Sequence, residues 1–269
     1  VKGVANERLF YQLNDLTPEE VDLIEHALIE PCSERLRALH RDSLRLYTFA
    51  PKLKKHAKSV SSDPTLMSVL EDMIDNDAER HHCRIESLLE PFVSSMLAGD
   101  TSFYSDDKEA AKFLYAICLQ FTRTKRAKQA AILRIGTKYK GCDARRVWDV
   151  IGFLLATSVG QSLYVDRKQF KLLLLDNNTD EPFITGDQPI INLHATPICD
   201  IPEKLEYYYP LSPRKAMLLL EVSNQTHASV SAIAVNRYNI LIAEHSYQQL
   251  YSNSEEYLVT LRKLLASQI

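Results

Sequence analysis

Long apolar runs are missing from this sequence. None approaches the roughly 18 to 20 residues that a bilayer-spanning helix needs, and the start lacks the basic and apolar regions of a signal peptide. The expectation is a soluble, cytoplasmic protein with no membrane partner. Cysteine is scarce and shows no pairing pattern. Cys32, Cys83, Cys118, Cys142 and Cys199 are odd in number, widely spaced and without a CxxC pair, which argues against a disulfide framework or a zinc ribbon and for reduced thiols. GxSxG, P-loop and GxGxxG patterns are also missing, so serine hydrolases, nucleotide hydrolases and dinucleotide-binding enzymes have no motif support. No internal repeat is visible, and no low-complexity or Pro/Gly-rich stretch is long enough to separate two cores. Residues 1–269 are therefore expected to form a single domain, or two sharing an interface. Met is absent at the start, where Val1 precedes an amphipathic segment bearing Tyr11; the chain is expected to begin inside a longer one.

What is present is an ordinary globular composition, 45% hydrophobic and 25% charged, sufficient for a core without covalent staples. The net charge of −3 argues against wholesale coating of nucleic acid, but the charge is unevenly placed. Residues 121–146 hold nine basic residues against Asp143 alone, whereas residues 71–86 hold six acidic residues against Arg80 and Arg84.

Thr17-Pro18-Glu19-Glu20 carries a cap, a first-turn proline and a capping-box glutamate, and predicts a helix over about 18–29. Further helices are expected from Ser33 to about Phe49, from Asp63-Pro64 to an end or kink at Pro91, and from Ser105 through to about Gly136. Another starts at Asp143. The period then changes. Phe170–Leu175 reads as a strand, the turn-forming Asp176–Asp180 follows, and Pro182–Thr185 is expected to return as its hairpin partner. Tyr207–Leu211 and Ala216–Val222 read as strands, and helices are expected around 232–243 and 255–265. The fold class is α+β: a mainly helical body over about 1–165 and a small antiparallel strand segment within about 166–269.

On one continuous helix, Arg123 shares a face with Ala116, Leu119, Ala127 and Ala130, and Gln120 lies on the same side. Two polar groups on an inward face need partners, because an unpaired buried charge costs several kcal/mol. The candidate partner is Asp187 in Phe183-Ile184-Thr185-Gly186-Asp187-Gln188-Pro189, where Gly186 is expected to permit an unusual backbone. Such a pair serves either a site or a structural tether. Arg126, Lys128, Arg134, Lys138 and Lys140 form a candidate nucleic-acid surface, with Tyr139 available for stacking; a solvated helical face explains the same charges. Glu79 and His82 have the spacing of a di-iron bundle ligand pair, but no second Glu-x-x-His exists to complete it. Arg35 and His40 satisfy a loose Arg-x4-His ribonuclease pattern that chance alone produces in a chain of this composition.

Taken in order, His82–Glu86, Gln120–Arg126, Phe183–Pro189 and Tyr209–Pro213 resemble the bacterial domain-of-unknown-function family 4238. The usual Gln-His-Tyr-x-Pro-like opening segment of that family is missing here. The residues matching its motifs are Glu86, Gln120, Arg123, Thr185, Asp187, Ser212 and Asn236. Some members occur in phage-defence islands, so the resemblance implies an antiviral role without a reaction.

Two functions are expected on these grounds. In the first, Glu86, Gln120, Arg123 and Asp187 converge in one cleft of a nucleic-acid-cleaving effector, with the carboxylates holding a water or a divalent metal such as Mg²⁺. In the second, the chain is a non-catalytic binding or sensor domain for a phage component or partner, and its buried Arg123 and Asp187 serve the fold.

Overall fold

Thr17 closes a full capping box at the start of α1 (Pro18–Ile24). Its hydroxyl accepts from the Glu20 amide at 3.3 Å, and the Glu20 carboxylate accepts from the Thr17 amide at 2.9 Å. A single π-helical turn, Glu25–Ile29, carries the helix to the expected end. The computed structural model describes residues 15–60, 63–139, 142–195, 202, 204–223 and 229–266; the side chains of 50 and 71–86 lie outside that description.

The next two helices outrun their prolines. α2 (Glu34–Val60) continues past Phe49 through a buried Pro51, and α3 (Pro64–Leu97) continues past Pro91. Proline deletes one backbone bond, and a helix held by packing absorbs that loss. Gly99 is what stops α3. It adopts φ 88°, and the Asp100 and Gly99 amides return to the carbonyls of Ser95 (2.9 Å) and Met96 (3.0 Å).

The helix expected from Ser105 to Gly136 is in fact two, α4 (Asp107–Thr122) and α5 (Lys125–Lys138). Thr124 causes the break, because its hydroxyl accepts from the Ala127 amide at 3.3 Å and so caps α5. α6 (Ala144–Val165) starts from Asp143, which accepts from the Arg145 amide at 3.0 Å.

The chain forms two compact units, one of residues up to Ser87 with Lys128–Val159 and one of Leu88–Ala127 with Gly160–Ile269. The first is helical and buries Ile24, Ile29, Leu36, Leu44, Val147 and Leu154. Glu20, only 1% exposed, is the polar centre of this unit: it takes the Arg146 guanidinium at 2.7–3.0 Å and the Asp143 amide at 3.2 Å. A buried carboxylate needs such saturation, and the α1 cap and the α6 start are thereby joined.

The second unit carries the strands β1 (Phe170–Asp176), β2 (Thr185–Gly186), β3 (Ile191–Asn192), β4 (Tyr207–Ser212), β5 (Lys215–Glu221) and β6 (Leu250–Tyr251), with α7 (Ala232–His245) and α8 (Glu255–Ala266). The α+β class holds. The larger sheet is antiparallel in the order β1-β5-β4-β3, with Ala216–Leu220 of β5 fully enclosed. The expected hairpin between Phe170–Leu175 and Pro182–Thr185 does not form. β1 pairs with β5, from Phe170 opposite Glu221 to Asp176 opposite Lys215, and β2 pairs with β6 in a separate sheet. The reason is the asparagine after β1: buried Asn177 donates to the carbonyls of Glu181 (2.7 Å) and Pro213 (3.1 Å), folding 177–181 into a closed loop instead of a two-stranded return.

Candidate functional site

The Thr-Gly-Asp-Gln segment, Thr185–Gln188, is held on every side in the second unit. Asn239 of α7, fully buried, accepts from the Ile184 amide at 3.0 Å and donates to the Pro182 carbonyl at 2.8 Å. Its Nδ2 also donates to the Tyr257 hydroxyl at 2.8 Å, and that hydroxyl donates to Asn236 Oδ1 at 2.5 Å. Asn236 thus acts through Tyr257 of α8.

Gly186 is needed for space and not for an unusual backbone. Among the described glycines only Gly99 has a positive φ. A Cβ at 186 would sit 2.0 Å from Ser246 Oγ and 2.9 Å from the Gln249 carbonyl oxygen, where β2 meets the segment after α7.

That closeness positions Asp187. Its Oδ1 accepts from the Tyr247 amide at 2.7 Å, its Oδ2 accepts from the Gln248 amide at 2.8 Å, and its own amide donates to Gln249 at 3.1 Å. The carboxylate finds its hydrogen bonds in the main chain and anchors the turn leading into β6.

The link between the Gln120–Arg126 and Phe183–Pro189 motifs runs one residue beyond the expected pair on each side. Thr124 donates its hydroxyl to Gln188 Oε1, and Gln188 Nε2 donates to the carbonyls of Ile190 (2.6 Å) and Phe121 (3.4 Å). Both residues are buried. Gln120 is buried on α4, while Arg123 is half-buried at its C-cap, with its amide on the Leu119 carbonyl at 3.0 Å. The Glu86 side chain lies outside the described residues, as do those of Glu79 and His82.

A polar cleft of about 570 Å³ opens beside the 176–180 loop and the β4–β5 turn. Its cations are already engaged: Lys215 pairs with Asp176 at 2.7 Å, and Arg214 donates to the Thr179 carbonyl. Ser212 shapes that turn by accepting from the Arg214 amide at 3.2 Å. Among the described residues no three His, Cys, Asp or Glu side chains are grouped as a metal site would require.

Arg126, Lys128, Arg134 and Lys138 lie on α5, which has no fully buried residue. Lys128 faces Asp149 at 3.8 Å in the first unit. Burial raises the Asp149 carboxyl to about 6 against the opposing pull of Lys128. Arg126, Arg134 and Lys138 fall in an arc of about 120° at 100° per residue, with Lys128 on the far side. Lys138 lies 5.2 Å from the centroid of the Tyr139 ring. Lys140 lies outside the described residues.

His40 is fully buried in the first unit, its Nε2 2.9 Å from the Thr157 hydroxyl and its Nδ1 3.8 Å from Cys32 Sγ. Thr157 spends its proton on the Phe153 and Leu154 carbonyls at 2.8 and 2.9 Å, so Nε2 carries the hydrogen. Burial lowers the His40 pKa and favours the neutral ring. An enclosed imidazole is placed for packing, not for attack on RNA.

Fold and site together define an α+β module whose Thr-Gly-Asp-Gln segment is bolted to the helices around it. Residues 155–256 match the family described as "Protein of unknown function (DUF4238)". The match includes Thr185, Asp187, Ser212 and Asn236, and the Gln120–Arg126 and His82–Glu86 motifs precede it. No curated protein and no solved structure matches the chain. Among the described residues, no helix is long and apolar enough to cross a membrane.

Proposed function

We propose that the protein is a non-catalytic binding domain that recognises nucleic acid through α5, in the antiviral setting that its family resemblance implies. The observation that carries this reading is the arc of half-buried Arg126 and Arg134 and exposed Lys138 on a helix with no fully buried residue. Lys128, which Asp149 neutralises in part, stands apart from it. Cations on a rigid helix track phosphates without any need for a reactive group.

The anchored carboxylate of Asp187 supports binding over hydrolysis. With both oxygens accepting main-chain amides, it is placed to maintain the β2–β6 junction. Gln188 and Asn239, not singled out in the sequence, serve the same junction, which gives this polar network a structural purpose.

The experiment is incubation of the protein with labelled RNA and DNA, with and without Mg²⁺ or Mn²⁺, beside Asp187→Ala. Expected are retarded, intact strands in every lane, with Arg134→Gln/Lys138→Gln weakening retardation. Strand cleavage by the wild type and not by Asp187→Ala would restore the metal-dependent nuclease reading.

A further inference from the structure

α2 is amphipathic twice over. One face enters the core of the first unit through Leu36, His40, Leu44 and Thr48. The other is also apolar, yet exposed: Leu39 is 50%, Leu46 72%, Phe49 58% and Val60 68% accessible. At 100° per residue, Leu39, Leu46 and Phe49 share an arc of about 80°, so these are not scattered exceptions but a band along the helix.

By the same spacing Arg35 and Asp42 lie within the band, and Arg45, Lys52 and Arg41 lie along one edge of it. From Glu34 to Val60 the helix holds eight basic residues and two acidic ones, Glu34 and Asp42. Arg35, Arg41, Arg45, Lys52, Lys55 and Lys58 are exposed. Arg41 is paired with Glu25 at 2.5 Å, and Asp42 is answered by Arg45 at 3.1 Å. Pairs this exposed are weak and leave the surface strongly positive.

We infer that α2 is a docking face for an anionic lipid surface, lying on the membrane and not crossing it. Large aliphatic and aromatic side chains with arginine and lysine along one edge match the boundary between acyl chains and anionic headgroups. A nucleic acid would answer the cations but leave Leu46 and Phe49 without a partner. A second copy of α2 would answer the apolar band but bring like charges together. An anionic bilayer answers both, and the buried opposite face keeps the helix fixed for it.

The test is co-sedimentation of the whole protein with phosphatidylcholine vesicles and with vesicles containing phosphatidylglycerol. Expected is binding to the anionic vesicles at least tenfold tighter than to neutral ones, falling as salt rises. Arg35→Gln/Lys52→Gln weakens it about twenty-five-fold, at about fivefold per cation. Leu46→Ser/Phe49→Ser abolishes it, with circular dichroism unchanged because both side chains are exposed. The inference is overturned by any of three results: no vesicle binding, equal binding to neutral vesicles, or full binding by Leu46→Ser/Phe49→Ser. A wild-type dimer that binds no vesicles and dissociates in Leu46→Ser/Phe49→Ser would assign the face to a second copy instead.

Discussion

Asp187 illustrates how one carboxylate holds a turn by charge-assisted hydrogen bonds to amides. Asp187→Ala leaves the Tyr247 and Gln248 amides without an acceptor, and unfolding in urea is expected to show a loss of about 1–3 kcal/mol. Asp187→Asn, which keeps one acceptor oxygen, should lose less. Tyr208 is the opposite case. Its ring is fully buried and stacked on Tyr238 at 4.4 Å, but its hydroxyl has no hydrogen-bond partner among the described residues. Tyr208→Phe keeps the stack and removes the unmet group, so the midpoint of thermal unfolding is expected to rise, by the equivalent of about 1 kcal/mol. Asp149 links stability to pH. Its carboxyl titrates at about 6 when folded and near 3.8 when unfolded, so between those values the folded state holds the proton that the unfolded state has released. Its contribution is therefore present at low pH and lost as pH rises from about 4 to about 6. At about 1.4 kcal/mol per pH unit the fall is roughly 3 kcal/mol, and Asp149→Asn should lack it in urea titrations across that range.

At the scale of elements, local chemistry in the sequence indicated most helix starts. Thr17, Asp63, Asp106 and Asp143 each offer an oxygen to a first-turn amide, and each helix begins there. Helix ends were less legible, because Pro51 and Pro91 compete with packing that the sequence does not display. The α4–α5 break was hidden for a similar reason. Nothing before Lys125 interrupts the apolar period, and Thr124 both caps α5 and donates to Gln188. The expected Gln120–Arg123–Asp187 convergence depended on that unbroken helix. Its two motifs do meet, through Thr124 and Gln188. A double-mutant cycle measures the junction: Thr124→Val and Gln188→Leu should each destabilise by about 1–3 kcal/mol, and the double substitution should cost clearly less than their sum. Simple additivity would show that the two side chains do not act together.

For the whole molecule, the class was readable from helices followed by strands, but the pairing of the strands was not. Phe170–Leu175 and Pro182–Thr185 are close in sequence and suggest a hairpin, whereas β1 pairs with β5 across the closed loop that Asn177 makes. The candidate site was legible as motifs and not as chemistry: Asp187 stood out, but its amide partners lie sixty residues away and carry no side-chain signature. The exposed band of α2 is not marked in the sequence, because Leu36, Leu39, Leu44 and Leu46 are alike as apolar residues and only Leu36 and Leu44 are buried.

The binding account is tested most directly by the salt dependence of affinity, measured by fluorescence anisotropy on single-stranded RNA for the wild type, Arg134→Gln and Lys138→Gln. Each substitution is expected to weaken binding at low salt and to reduce the slope of log K against log salt by about 0.7, the value for one lost phosphate contact on a single strand. An unchanged slope in both variants would contradict the account and remove α5 from nucleic-acid recognition.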